Sequence, residues 1–238
     1  MSASSFTGRQ VLVTGGTGGL GASVVNALLE AGATVTVPFP EAEATGRFAE
    51  LSHPELRKVA GVDLTHEAQV TALYAALPSL WASVHLTGGF AMKSIGETTL
   101  ADLRAQLALN LETCFLCCRE AVRTFRARPA PGARGGRIVN VAARPALQPT
   151  GGMLAYATSK AGVASLTQCL AAEVLAEDIL VNAIVPSIID TMANRKAMPE
   201  ADFDRWPKAE QIAETIRFLA SPQNALTSGT LVPVYGRA

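Results

Sequence analysis

The chain has 238 residues, with 20 Lys+Arg balanced by 20 Asp+Glu. Hydrophobic residues make up 49% and charged residues 17%, which excludes a disordered chain and is enough for one well-buried α/β core. With a net charge of +0 and no basic stripe, nucleic-acid binding driven by phosphate neutralisation is excluded.

Apolar strand-like runs alternate with helical stretches along the chain. Gln10–Thr14 reads as a short buried strand, Gly15–Gly21 as a glycine-rich turn, and Ala22–Ala31 as a helix. Ala33–Val37 is a second strand, and Pro38–Pro54, with three prolines, is loop with a short helix. Leu56–Gly61 is a third strand, Glu67–Leu77 a helix, Ala82–Leu86 a fourth strand and Leu100–Arg126 one long helix. Gly136–Ala142 is a fifth strand, Tyr156–Leu175 a second long helix and Ile179–Val185 a sixth strand. Ala209–Leu219 is a helix, and Thr230–Val234 a last strand. The expected fold is one doubly wound α/β domain over residues 1–238, with about seven parallel strands and helices on both faces. The stretch 187–208 lacks periodicity, and loops of that length commonly act as lids. No apolar run reaches bilayer-spanning length, and Met1–Gly8 lacks the basic and apolar regions of a secretory signal. A soluble, cytoplasmic protein with no membrane partner is expected.

Two features carry chemistry. The turn after the first strand lets the backbone approach a pyrophosphate at a helix N-terminus, with Gly15, Thr17, Gly19, Leu20 and Gly21 as candidate contacts. Tyr156 and Lys160 lie four apart, on one face of a helix, where a lysine cation favours the phenolate and lowers the tyrosine pKa. That dyad is a proton donor to a carbonyl or imine. The second strand ends in Val37-Pro38-Phe39-Pro40, without the acid that binds a ribose 2′-OH or the base that binds a 2′-phosphate. NAD and NADP both remain open.

Of four cysteines, Cys114, Cys117 and Cys118 fall at i, i+3 and i+4 on one helix face. A structural zinc needs four ligands, and Cys169 is the only other thiol, so no metal is expected. His53 and His66 read as surface loop residues, and His85, at the end of strand four, as structural.

These motifs resemble the short-chain dehydrogenase/reductase family over the whole chain. The matching residues are Thr14 with Gly15, Gly19 and Gly21, then Asp63-Leu64, Gly88, Asn110, Tyr156 with Lys160, and Pro186 through Thr191. The resemblance implies a small-molecule oxidoreductase with Tyr156 as acid/base and Lys160 holding the cofactor ribose. It implies that Asp63 and Leu64 flank the adenine, that Ile189 and Thr191 hold the nicotinamide amide, and that Asn110 positions Lys160 through a water. Gly88 and Pro186 border the same cofactor. Three positions depart from the family pattern. His85-Leu86-Thr87-Gly88 replaces Asn-Asn-Ala-Gly, Ser187 replaces a glycine, and Ala143 stands where the catalytic serine is expected.

A narrower resemblance, to the dihydropteridine reductase branch, covers residues 139–206 and also lacks that serine. It rests on Ala143 through Leu147, Gly152-Met153, Asn194 through Phe203, and Trp206. It implies a quinonoid dihydropterin substrate, contacted near Ala143, Met153, Asn194 and Trp206, with Arg195 at the pocket border. Two alternatives stand beside it. One is a ketone reductase with a substitute for the missing hydroxyl, for which Thr150 is the candidate. The other is a nucleotide-binding regulator that has lost turnover. Wide apolar faces on helices 100–126 and 156–175 predict a homodimer or homotetramer.

Overall fold

The computed structural model describes residues 6–41 and 46–237. Seven strands form one parallel sheet: β1 (Gln10–Thr14), β2 (Thr34–Pro38), β3 (Leu56–Val59), β4 (Ala82–His85), β5 (Arg137–Val141), β6 (Leu180–Pro186) and β7 (Leu231–Val234). Their order across the sheet is β3-β2-β1-β4-β5-β6-β7. The helices are α1 (Gly21–Glu30), α2 (Gly46–Glu50), α3 (Glu67–Ala75), α4 (Leu100–Gln106), α5 (Thr113–Ala127), α6 (Arg144–Leu147), α7 (Leu154–Val174), α8 (Met192–Ala197) and α9 (Ala209–Ala220).

Parallel strands buried on both faces read as nearly continuous apolar runs, and their alternation divides the core in two. Val11 and Val13 of β1 face α1 and α9, where Val24, Val25, Leu28, Ile212 and Ile216 pack. Leu12 faces the opposite layer, with Ile138, Val181 and the apolar sides of α3, α5 and α7. The same alternation sends Ala82 and Val84 towards α1 and α9. Ser83 and His85 are therefore turned towards α3 and α5, where both meet the Tyr74 hydroxyl. His85 pairs in register with Asn140 of β5, so this face carries a buried polar row amid apolar side chains.

The expected single helix over 100–126 is three segments. Leu107–Glu112 between α4 and α5 is a π-helix. Such a turn inserts one extra residue and is common at functional sites. Inside it, Asn110 is 1% exposed and bonds both backbone groups of Gly89. These distant partners, rather than helix propensity, hold the extra residue in place. β3 stops at Val59, two residues before the expected end, and α7 begins two residues before Tyr156. The loops also contain two short helices, α6 and α8, that periodicity does not mark. No helix among the described residues is long and apolar enough to cross a membrane.

Candidate active site

The site lies at the C-terminal edge of the sheet. There β1 and β4 are neighbours and the strand order reverses, opening a crevice. Gly15 follows β1 with φ at 65°, and a Cβ there would lie 2.7 Å from Leu86 C and Thr87 N. Glycine is therefore required twice at this position, by the left-handed backbone and by the contact with the β4 exit. The turn is closed by Gly18 N–H donating to Gly15 O and Gly21 N–H donating to Gly18 O, both at 3.0 Å. Leu20 caps α1 without a side-chain bond, which leaves first-turn N–H groups for a ligand. Thr17 is half-buried in the same turn. A Cβ on Gly19 would lie 2.7 Å from Thr191 Cγ2, so the turn and the 187–208 segment meet there.

The cradle fits a dinucleotide. Its wall is bare backbone at Gly15, Gly19 and Gly88, and the Thr87 hydroxyl beside it is buried without a hydrogen-bond partner. Pro186 ends β6 at the rim, and Ile189 accepts a hydrogen bond from the Asn194 amide at 2.8 Å. Leu64 is buried, whereas Asp63 turns its carboxylate to the Thr65 N–H and hydroxyl and to His66. The Thr65 backbone bond, more than any other contact, holds the Asp63 carboxyl below its usual range. Past β2, Phe39 is buried edge-to-face on Phe48, with ring centroids 5.9 Å apart. Arg47 pairs with Glu210 of α9 at 3.6 Å, and both side chains are mostly exposed.

Tyr156 sits in the first turn of α7 and Lys160 one turn later. Lys160 is 5% exposed, and its Nζ donates to Val141 O at 2.8 Å. A Cβ on Gly88 would lie 3.1 Å from that Nζ and 2.5 Å from Asn110 Oδ1. Asn110 accepts from Gly89 N–H at 3.0 Å and donates to Gly89 O, Gln106 Oε1 and Ser159 Oγ, each at 3.1 Å. Ser159 Oγ in turn donates to Tyr156 O at 2.7 Å. The Asn110 side chain thus fixes the β4 exit and the first turn of α7, and among the described residues its direct bonds go to Gly89, Gln106 and Ser159.

Burial decides the charges. It pushes the Tyr156 phenol up to about 12 and draws the Lys160 ammonium down to about 8, with Cys114 partly opposing the latter. The expected lowering of the tyrosine by its lysine is absent. The phenol loses more by leaving water than it gains from a cation that is bonded to Val141.

Ala143 is 3% exposed and precedes α6, and it brings no hydroxyl to the site. Thr150 is exposed. Met153 precedes α7, and Met92 Cε lies 3.1 Å from the Cβ position of the neighbouring Gly152. Phe90 stands edge-on to Tyr156, centroids 5.0 Å apart. In the 187–208 segment, Arg195 and Lys208 both bind the Asp190 carboxylate, and Trp206 is buried against Phe203. Asn194, Arg195 and Trp206 are thus engaged in the segment's own structure. Ser159, Phe90 and the Val141 carbonyl are participants that the sequence reading missed. Ser159 was in view between Tyr156 and Lys160, and Phe90 follows the glycine pair that ends the β4 exit.

The short chain dehydrogenase family matches residues 9–202. The chain is 30% identical to the rhamnolipids biosynthesis 3-oxoacyl-[acyl-carrier-protein] reductase of Pseudomonas aeruginosa, covering 98% of this chain and 96% of that one. It is 26% identical to the L-xylulose reductase of Caenorhabditis elegans, covering 97% and 96%. A short-chain type dehydrogenase/reductase from Mycobacterium ulcerans superposes with a TM-score of 0.87 at 25% identity, over 98% of this chain and 90% of that one. The glycine cradle, the Tyr156–Lys160 turn and these matches agree: the chain belongs to the short chain dehydrogenase family and is an NAD(P)-dependent oxidoreductase.

Proposed function

We propose that this enzyme reduces a small activated substrate whose C=O or C=N bond is already electron-poor, with a quinonoid dihydropteridine as the example. The observation behind this reading is Ala143, buried two residues past the Val141 carbonyl that Lys160 binds, with no donor to polarise an unactivated carbonyl. Removing one such donor typically slows the chemistry by ~10²–10³, so an activated substrate suits this site better. Phe90, Met92 and Met153 supply apolar surroundings.

In this reading the turn residues Gly15, Thr17, Gly19, Leu20 and Gly21, with Asp63, Leu64, Gly88, Pro186, Ile189 and Thr191, hold the cofactor. When bound, NAD(P)H supplies the hydride. Tyr156 Oη gives its proton to the substrate oxygen or nitrogen. A phenol held at about 12 by burial keeps its proton at neutral pH but is a weaker acid than an ordinary tyrosine, so the transfer depends on stabilisation of the phenolate that it leaves. Lys160 holds the ribose and compensates the phenolate, and Asn110 keeps the β4 exit in place for both. Residues 187–208 form the substrate lid of a single domain spanning 1–238, with Asn194 and Trp206 bordering the pocket. Exposed Leu109, Phe115 and Leu154 on the long helices support a homodimer or homotetramer, and in this reading the enzyme works in the cytoplasm.

Two named relatives, the 3-oxoacyl and L-xylulose reductases, favour ketone reduction as the second reading. NAD(P)H oxidation by the purified enzyme, with quinonoid dihydropterin and with simple ketones, separates the two. Ala143→Ser is expected to leave pterin turnover unchanged while raising ketone turnover by roughly tenfold or more. Rapid wild-type turnover of simple ketones with none of the pterin would sink the first reading.

A further inference from the structure

A second constellation lies beneath the dyad, on the α5 side of the sheet. His85, Cys114 and Cys118 each offer a ligand atom, all within 4.8 Å of one another and all buried. The three come from a strand end and from successive turns of α5. Asn140, across the β4–β5 register from His85, adds a carbonyl oxygen. We propose that His85 Nδ1, Cys114 Sγ, Cys118 Sγ and Asn140 Oδ1 form a buried tetrahedral site for a zinc-type divalent cation.

The distances support this. Bonds of ~2.3 Å to sulfur and ~2.0–2.1 Å to nitrogen or oxygen give tetrahedral edges of about 3.5 Å between sulfur and either lighter donor. Cys118 Sγ lies 3.6 Å from His85 Nδ1 and 3.5 Å from Asn140 Oδ1. These two edges need no movement. The His85 Nδ1 to Asn140 Oδ1 edge, now a 2.8 Å hydrogen bond, opens by about half an ångström, and the Cys114 sulfur moves inward.

The outer contacts are also those of a ligand set. Metal-binding histidines donate their second ring N–H to an oxygen, which fixes the tautomer. His85 Nδ1 now donates to Asn140 Oδ1; on ligation the proton sits on Nε2, which has Ser83 Oγ at 2.8 Å and Tyr74 Oη at 3.3 Å to accept it. Asn140 Nδ2 donates to Thr167 Oγ1 at 2.9 Å, which turns its oxygen inward. Charge is balanced as well. Two thiols give up their protons to solvent as the cation binds, and a dication with two thiolates is neutral, as an apolar core requires. The same hydrogen bonds also satisfy these groups without a metal, so the alternative is a polar network that binds nothing. Cys117 is buried beside them but interacts with Tyr74, which makes it the internal control.

Because the ligands are buried, the cation enters during folding, and the experiment is a refolding one. The full chain is refolded with zinc chloride, or with cobalt chloride as a spectroscopic probe, then dialysed against chelator and assayed for metal. The expected result is one metal per chain, with intense visible cobalt bands that mark tetrahedral thiolate ligation. Cys114→Ser and Cys118→Ser are expected to abolish both signals, and Cys117→Ser to keep them. Folded wild-type protein that retains no stoichiometric metal, or an equal loss in Cys117→Ser, overturns the site. If the serine variants do not fold, the wild-type measurement and its cobalt spectrum decide alone.

Discussion

In its proposed role, Lys160 sets stability against function in one residue. Its folded-state value is about 8, against 10.5 for an unhindered lysine, with burial as the main cause. Between those values the unfolded chain holds more protons, so stability rises with pH across that window. Below about 8 the full penalty of burying the charge applies, roughly 3 kcal/mol at ~1.4 kcal/mol per unit. Replacing it with methionine removes that penalty but leaves Val141 O unbonded, a loss of about 1 kcal/mol. Lys160→Met is therefore expected to be more stable than wild type by roughly 2 kcal/mol at pH 7, with the advantage fading as pH rises from about 8 to 10.5, while turnover collapses. Denaturant midpoints at several pH values, with kcat, check this. An unchanged or lowered midpoint at pH 7 would show that the buried charge costs no more than the bond lost with it.

At the scale of elements, the strands and the glycine turn were legible because their causes are local. Alternation, β-branched runs and Gly15 at a left-handed position act within a few residues. The π-segment was not legible. It depends on Asn110 reaching Gly89, 21 residues back, and no periodicity in 100–126 records that bond. The shared tyrosine–lysine face was correctly read from spacing, yet the charge argument drawn from it failed. Spacing carries no information about how much water a core excludes. His85 joined the cysteines for a similar reason, since strand register and α5 packing bring together residues far apart in sequence. A prediction follows at the β4 exit. Gly88→Ala places a methyl against Asn110 and Lys160. It is expected to weaken NAD(P)H binding at least tenfold, near 1.4 kcal/mol, with little change in secondary structure. Fluorescence titration beside circular dichroism tests it, and wild-type affinity would contradict the crowding.

Across the whole molecule, the sheet divides labour between its faces. One layer, around α1 and α9, is mainly apolar, with buried Ser23 bonding Glu210 and buried Arg137 lying over Trp81. The other accommodates Ser83, His85, Asn140 and Thr167 among its apolar side chains, directly under the reacting end. The 187–208 segment joins β6 to α9 and is tied at its base. Asp190 and Lys208 form a β-bridge, and the Asp190 carboxylate binds both Lys208 and Arg195. Asp190→Asn is expected to raise KM several-fold with a smaller change in kcat, and to make the segment more sensitive to limited proteolysis. Unaltered KM and cleavage rates would show that the tie is idle.

That tie has a thermodynamic consequence. Bringing the ends of a long loop together carries an entropic cost that grows with the logarithm of its length. Here the ends are already joined in the free protein, so that cost belongs to folding and does not recur at each turnover. In the proposed lid role, a ligand would have only to tilt an assembled segment, and more of its contact energy would remain to discriminate one substrate from another.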